Sequence, residues 1–336
     1  MTAITALCVA LPGTANADRG RGGSDGKTKV TGEEKAGTLR SEIVFSGSTR
    51  GTGGKNAGPV TPLGNWTPPA CWYEPRSAAE FQKYVEGFYK TTVNYPGQHS
   101  YAKTAVGQFR EMYKDGEYKN YNLDKADEGN FWVSVQDESR LDDPGAFTCS
   151  KLPFWVENGD PPNVENAVTP AILAALAYNE IELPDTEVTL APENVTKVNL
   201  PTWAWLDKAK FKPVSVTARL AVNGLNIEAT TTATPDSLKL EPGTSEAKLH
   251  PGSGECKFGA DGSIGTPYQK GNAGKTPPCG LTYLRSSGTD AYQLKATVTW
   301  KIRWTGTGNP EPQTLPAGTF GTEQAITVQE IQSINR

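Results

Sequence analysis

The sequence predicts two kinds of structure in tandem, an α+β region in its N-terminal half and an all-β sandwich in its C-terminal half. Two observations carry that expectation. From Tyr292 to Trp304 every even position is apolar and every odd one polar: Tyr292, Leu294, Ala296, Val298, Trp300, Ile302 and Trp304 alternate with Gln293, Lys295, Thr297, Thr299, Lys301 and Arg303. Side chains along a strand point to opposite faces in turn, so this is a strand with one face in a core and one in water. At about 3.3 Å per residue it runs roughly 40 Å, so a bend or bulge is expected near the two tryptophans. Between Asn65 and Leu183, by contrast, stretches of apolar residues recur every three or four positions, as on one face of a helix.

The first seventeen residues carry no charge and run through Ile4 to Leu11 to Pro12 and Ala15-Asn16-Ala17. A short apolar core ahead of a small-x-small site reads as a secretory signal, with its basic start lying upstream. Residues 18–65 are rich in Gly, Ser, Thr, Lys and Arg and nearly devoid of large apolar side chains, the composition of a flexible tail. Within it, the run from Leu39 to Phe45 could add a strand to the sheet edge of a partner. Gly22-Gly23-Ser24-Asp25-Gly26 satisfies G-x-S-x-G, but no strand precedes it and no helix follows it. Gly26-Lys27-Thr28 and Gly274-Lys275-Thr276 end like phosphate loops, yet the position that must be glycine is Arg21 in one and Gln269 in the other.

Four cysteines remain beyond the signal: Cys71, Cys149, Cys256 and Cys279. In an exported chain an even number points to disulfides, and chain order with the domain split favours Cys71 with Cys149 and Cys256 with Cys279 among the three possible pairings.

From residue 66 to 183 a small aromatic-rich α+β region is expected. Ser77 and Glu80 form a capping box ahead of Phe81, Tyr84, Val85 and Phe88 at helical spacing. A second helix is predicted over Tyr101 to Lys114, and a third opens on Thr169 and Pro170. Phe131 to Val135 and Phe154 to Val156 read as short strands. Residues 184–206, with Pro184, Pro192 and Pro201, read as an extended linker ending in Trp203-Ala204-Trp205. The two tryptophans either plug one end of the sandwich or form a stacking platform.

After residue 207 alternation takes over. Val214, Val216, Ala218 and Leu220 face one way, Asn223-Gly224 supplies a tight hairpin turn, and Leu225, Ile227 and Ala229 return. About seven short strands are expected through residue 336, which indicates an immunoglobulin-like sandwich.

Gly265-Thr266-Pro267-Tyr268, Pro278-Cys279-Gly280-Leu281-Thr282-Tyr283, Arg285-Ser286-Ser287 and the strand closing on Trp300-Lys301-Ile302-Arg303-Trp304, with Pro201-Thr202-Trp203-Ala204-Trp205 before them, resemble a family of uncharacterised secreted actinobacterial proteins. The resemblance covers about residues 195–336. Tyr283, a loop and Tyr292 are also similar to the end of a PKD domain, although that family's histidine before the tyrosine is replaced by Leu281-Thr282. It implies an immunoglobulin/PKD-like sandwich in an exported surface protein.

Chemistry is thinly provided. A formal charge of -4 lacks the dense positive field that nucleic-acid binding needs. His99 and His250 fall in different predicted domains, and no C-x-x-C or H-E-x-x-H occurs. The acids between Asp124 and Asp143 lack the spacing of a calcium loop. No catalytic residue, metal or cofactor is therefore expected. The predicted function is a secreted, non-enzymatic surface interaction or assembly module whose partner is another secreted or surface protein, with neither nucleic acid nor a membrane span. Candidate contacts are Trp203, Trp205 and the strand face of Lys295, Lys301 and Arg303. The alternative is a carbohydrate- or cell-wall-binding protein using exposed tryptophans around Trp66, Trp72, Trp203 and Trp205.

Overall fold

The structure, a computed structural model, describes residues 41, 43–47, 58–159 and 162–331. The signal segment, most of the expected tail and the two glycine-rich motifs near residue 25 lie outside the described residues. The protein is mostly β, with 41% strand against 20% helix, and its strands form large antiparallel sheets.

The N-terminal segment supplies three short strands, β1 (Val44–Gly47), β2 (Gly58–Pro59) and β3 (Thr61–Pro62). There follow β4 (Cys71–Arg76), α1 (Ala78–Asn94), α2 (Ser100–Lys114), β5 (Gly129–Gln136), β6 (Phe154–Glu157) and α3 (Pro170–Asn179). Helix α1 starts where the capping box predicts: Glu80 N donates to Ser77 Oγ at 3.3 Å and Ser77 N to Glu80 Oε2 at 3.0 Å. The cap of α3 is equally as expected, with Ile172 N donating to Thr169 Oγ1 at 3.2 Å and Pro170 in the first turn. Strands β4, β5 and β6 form a three-stranded antiparallel sheet. Phe81 of α1 stacks on Phe131 of β5 with centroids 4.1 Å apart.

Segment 184–206 is not an extended linker. After β7 (Glu182–Leu183) it folds into β8 (Thr189–Ala191), β9 (Val195–Lys197) and β10 (Pro201–Trp205). Prolines fall where they take no ladder hydrogen bond, and Thr186 and Thr196 are buried, held by hydroxyl bonds to Phe320 O (2.9 Å) and Thr202 (2.9 Å).

The remaining strands are β11 (Val214–Val222), β12 (Leu225–Glu241), β13 (Ala247–His250), β14 (Glu255–Lys257), β15 (Gly280–Tyr283), β16 (Tyr292–Gly306) and β17 (Asn309–Gln329). The eight-stranded sheet runs β1-β11-β12-β16-β17-β3, with β14 added to β12 and β9 to β17. Residues 43–47 therefore add a strand to this chain's own sheet, where the sequence suggested a partner's: Val44 pairs with Arg219 and Gly47 with Val216. A four-stranded sheet, β13-β15-β10-β8, lies apart from it and draws half its strands from the supposed linker.

Along β16, Leu294 to Trp304 are buried at every even position, as the alternation predicts. The expected irregularity is present but sits in its neighbours. Opposite Trp300, β12 carries an extra residue between Pro235 and Ser237, and β17 carries another between Leu315 and Gly318. The straight strand keeps one face buried for its whole length while its partners bend around a fully buried indole.

One face of this sheet has two covers. Helix α3 packs on β11, β12 and β16, and the hydroxyl of Thr231, buried under it, donates to Ala174 O at 2.8 Å. The four-stranded sheet covers the other end, where Tyr283 and Tyr292 stack with centroids 5.2 Å apart. Cys256 on β14 and Cys279 just before β15 form a disulfide that staples the two sheets. The buried side chains form a single cluster that runs from Phe81 and Leu173 to Trp300 and Val328. No helix among the described residues is long and apolar enough to cross a membrane.

Candidate functional site

A concavity lies where the N-terminal segment, the 140–148 loop, α3 and β17 meet. It has a volume of about 450 Å³ and is walled by Trp66 to Ala70, Arg140, Asp143, Thr148, Asn166, Ala171, Ile172, Ala175 and Leu315. Each wall is fixed locally. Leu63 N donates to Ala317 O at 2.8 Å, which ties the strand ahead of Trp66 to β17. Trp66 then packs edge-on against Tyr178 of α3, with centroids 5.1 Å apart.

The opposite wall is held by the second predicted disulfide. Cys71 follows Ala70 and Cys149 follows Thr148, so this bridge clamps two cleft-lining segments 78 residues apart in sequence. Arg140 crosses between them: Nη1 donates to Pro68 O at 2.7 Å and Nη2 to Asp143 Oδ2 at 2.5 Å. Asp143 caps the short turn that follows, accepting from Gly145 N at 2.8 Å. That amide and the Arg140 guanidinium hold the Asp143 carboxyl below its usual range, so it stays ionised at neutral pH. The Tyr178 hydroxyl is buried beneath Trp66 with no hydrogen-bond partner. The cleft is thus a slot with a half-buried indole, a neutralised ion pair and a few amide and hydroxyl groups along its rim, a surface suited to binding.

The residues singled out in the sequence are scattered. Trp203 is 6% exposed, wedged between β8 and β15 and edge-on to Tyr268 at 6.1 Å, so it forms no solvent-facing platform with the half-buried Trp205. Trp72 is also 6% exposed and spends its N–H on Glu74. Lys295, Lys301 and Arg303 do share the open face of β16, but Lys301 lies 2.6 Å from Asp236 and Lys295 3.9 Å from Glu241. Carboxylates from the neighbouring strand therefore cancel much of the positive field read from β16 alone. Among the described residues no group of three or more His, Cys, Asp or Glu side chains is placed to hold a metal. In the sequence Trp66 is one of four candidate tryptophans and Asp143 one of several acids without calcium-loop spacing, and nothing singles out Arg140, Asn166 or the α3 contribution. The cues available were Cys71 and Cys149, each next to a cleft wall.

Comparison with protein families, with curated proteins and with solved structures finds no match to this chain.

Proposed function

We propose that this chain is an exported, non-enzymatic interaction module that docks a segment of another secreted or surface protein in the Trp66 cleft. The observation that carries the reading is the half-buried indole over an apolar slot, flanked in sequence by Leu63, Leu141 and Phe147 at 49%, 48% and 59% exposure. A Trp and an Arg in one cleft with apolar neighbours is the chemistry of interface anchors. The Asp143–Arg140 pair fits this role better than acid–base work, because the Asp143 carboxyl is held below its usual range by Gly145 N and Arg140 and so is no proton donor near neutral pH. Two disulfides support an oxidising compartment. The immunoglobulin/PKD-like reading of residues 207–336 belongs to this proposal, supported by two antiparallel sheets joined through Cys256 and Cys279. The test is co-purification of the full exported chain from culture, repeated with Trp66→Ala and with Ala171→Leu, which fills the slot from an exposed position. Loss of one defined protein partner in both variants is expected. Identical partners in all three, or a partnerless protein that turns over a polysaccharide, overturns it.

A second reading, a carbohydrate-binding cleft, has one observation in its favour: Trp66 shares the slot with the polar Asn166 and Thr148. A glycan array read with wild type and Trp66→Ala decides it, since a neutral-sugar signal lost in the variant is expected of this reading alone.

A further inference from the structure

We propose that the tip of the α1–α2 hairpin binds an anionic polysaccharide. Helices α1 and α2 run against each other, with Phe88 packed on Phe109 at 6.5 Å, and turn through Tyr95 to His99. The turn is rigid. Gln98 N donates to Tyr95 O at 3.2 Å across Pro96-Gly97, and Gly97 takes φ of +83°.

Three aromatic rings project from this turn. Tyr95 is 61% and Tyr101 55% exposed, and the exposed His99 stacks on Tyr101 with centroids 5.6 Å apart and planes 16° from parallel. Such large exposed rings, two of them stacked on each other, offer flat surfaces to a ligand.

Along the hairpin the charge has one sign. From Gly87 to Arg110 the chain carries Lys90, Lys103 and Arg110 and no acid at all, within a protein of net charge -4. Lys90 is exposed and Lys103 half-buried, one on each helix beside the turn. The nearest acid on α1, Glu86, is occupied: it accepts from Arg110 Nε at 2.9 Å and from the Tyr121 hydroxyl at 2.6 Å. Arg110 is held there and lies over the Tyr89 ring at 4.8 Å, which leaves Lys90 and Lys103 to meet a ligand.

Exposed Tyr and His faces beside two lysines match a ligand with apolar sugar faces and periodic negative charge. A lipid surface fits less well, because burial in the acyl boundary wants a broad apolar face and the tip offers only three rings. This inference does not depend on what occupies the Trp66 cleft.

Affinity electrophoresis of the full chain in alginate, with neutral dextran as control, tests it. Retardation by alginate alone is expected, weakening about tenfold or more as salt rises from roughly 50 to 200 mM. The Tyr95→Ala/Tyr101→Ala pair and the Lys90→Gln/Lys103→Gln pair should each weaken it by about fivefold or more. Lys275→Gln, at another exposed cation, and Trp66→Ala should leave it unchanged. Equal retardation of all variants, binding to phosphatidylglycerol vesicles in preference to alginate, or no retardation by alginate overturns the proposal.

Discussion

The Glu74 carboxylate and the Arg76 guanidinium sit 2.5 Å apart on β4, with side chains 0% and 3% exposed. Glu74 also accepts from Trp72 Nε1 at 2.8 Å and from Ser41 Oγ at 3.0 Å, so this buried charge ties the N-terminal segment to the three-stranded sheet. Arg76→Met leaves a carboxylate in the core and should cost about 3–5 kcal/mol. Urea unfolding of the variant measures it, and a loss under 1 kcal/mol is incompatible with this account.

The two disulfides should differ in worth. By chain entropy the 78-residue Cys71–Cys149 loop contributes about 4.5 kcal/mol and the 23-residue Cys256–Cys279 loop about 3.4 kcal/mol. Cys71→Ser/Cys149→Ser should therefore lower the melting temperature more than Cys256→Ser/Cys279→Ser. It should also be the pair that loosens the Trp66 cleft, read as increased quenching of indole fluorescence by acrylamide.

Gly318→Ala should detach the strand that carries the cleft wall. A methyl group there would come within 2.0 Å of Val60 Cγ1 and 2.7 Å of the Tyr178 hydroxyl, and a β-branched valine has little room to turn away. A loss of about 1–3 kcal/mol is expected. Limited proteolysis should then cut between residues 58 and 66 faster than in wild type.

His250 gives a pH dependence of definite sign. Burial, and then the nearby Lys248 charge, hold its pKa below the ordinary value. The unfolded chain binds the proton more tightly than the folded one, so stability is full above the ordinary histidine pKa and declines as pH falls through it toward the folded value. His250→Gln, placed to keep a polar contact with Thr282, should flatten urea-melt midpoints between about pH 7.5 and pH 5.5.

Features written in neighbouring residues were legible in the sequence. The capping box at Ser77, the Thr169-Pro170 start of α3, the Asn223-Gly224 hairpin with φ of +40° and +83°, and the alternation of β16 all depend on residues within a turn or two of each other. The disulfide pairing also held, because it follows chain order. What was not legible depends on distant partners. Strands β8 and β10 look like linker because three to five residues between prolines show no period, and they are strands only because β15 lies alongside β10. Strand β17 runs 21 residues, yet only its end, where Ile326 and Val328 are buried two apart, carries a readable period, since its first half is polar and exposed and bulges opposite Trp300. The cleft was hidden for the same reason: Trp66, Arg140, Ile172 and Leu315 are far apart in the chain, and no spacing rule joins them.

Strands β1 and β3 close the two edges of the large sheet, and each precedes in the chain the strand it pairs with. Val44 waits for Arg219, and Thr61 bonds to Thr319 across 258 positions. Strand β3 thus has nothing to dock on until β17 is made, and until then the free edge of β16 stays open to other chains. Folding of so non-local a sheet should be slow, on the order of milliseconds to seconds or longer, and most vulnerable to aggregation just before completion. Truncation from the C-terminus should therefore be far more damaging to solubility than its length alone suggests.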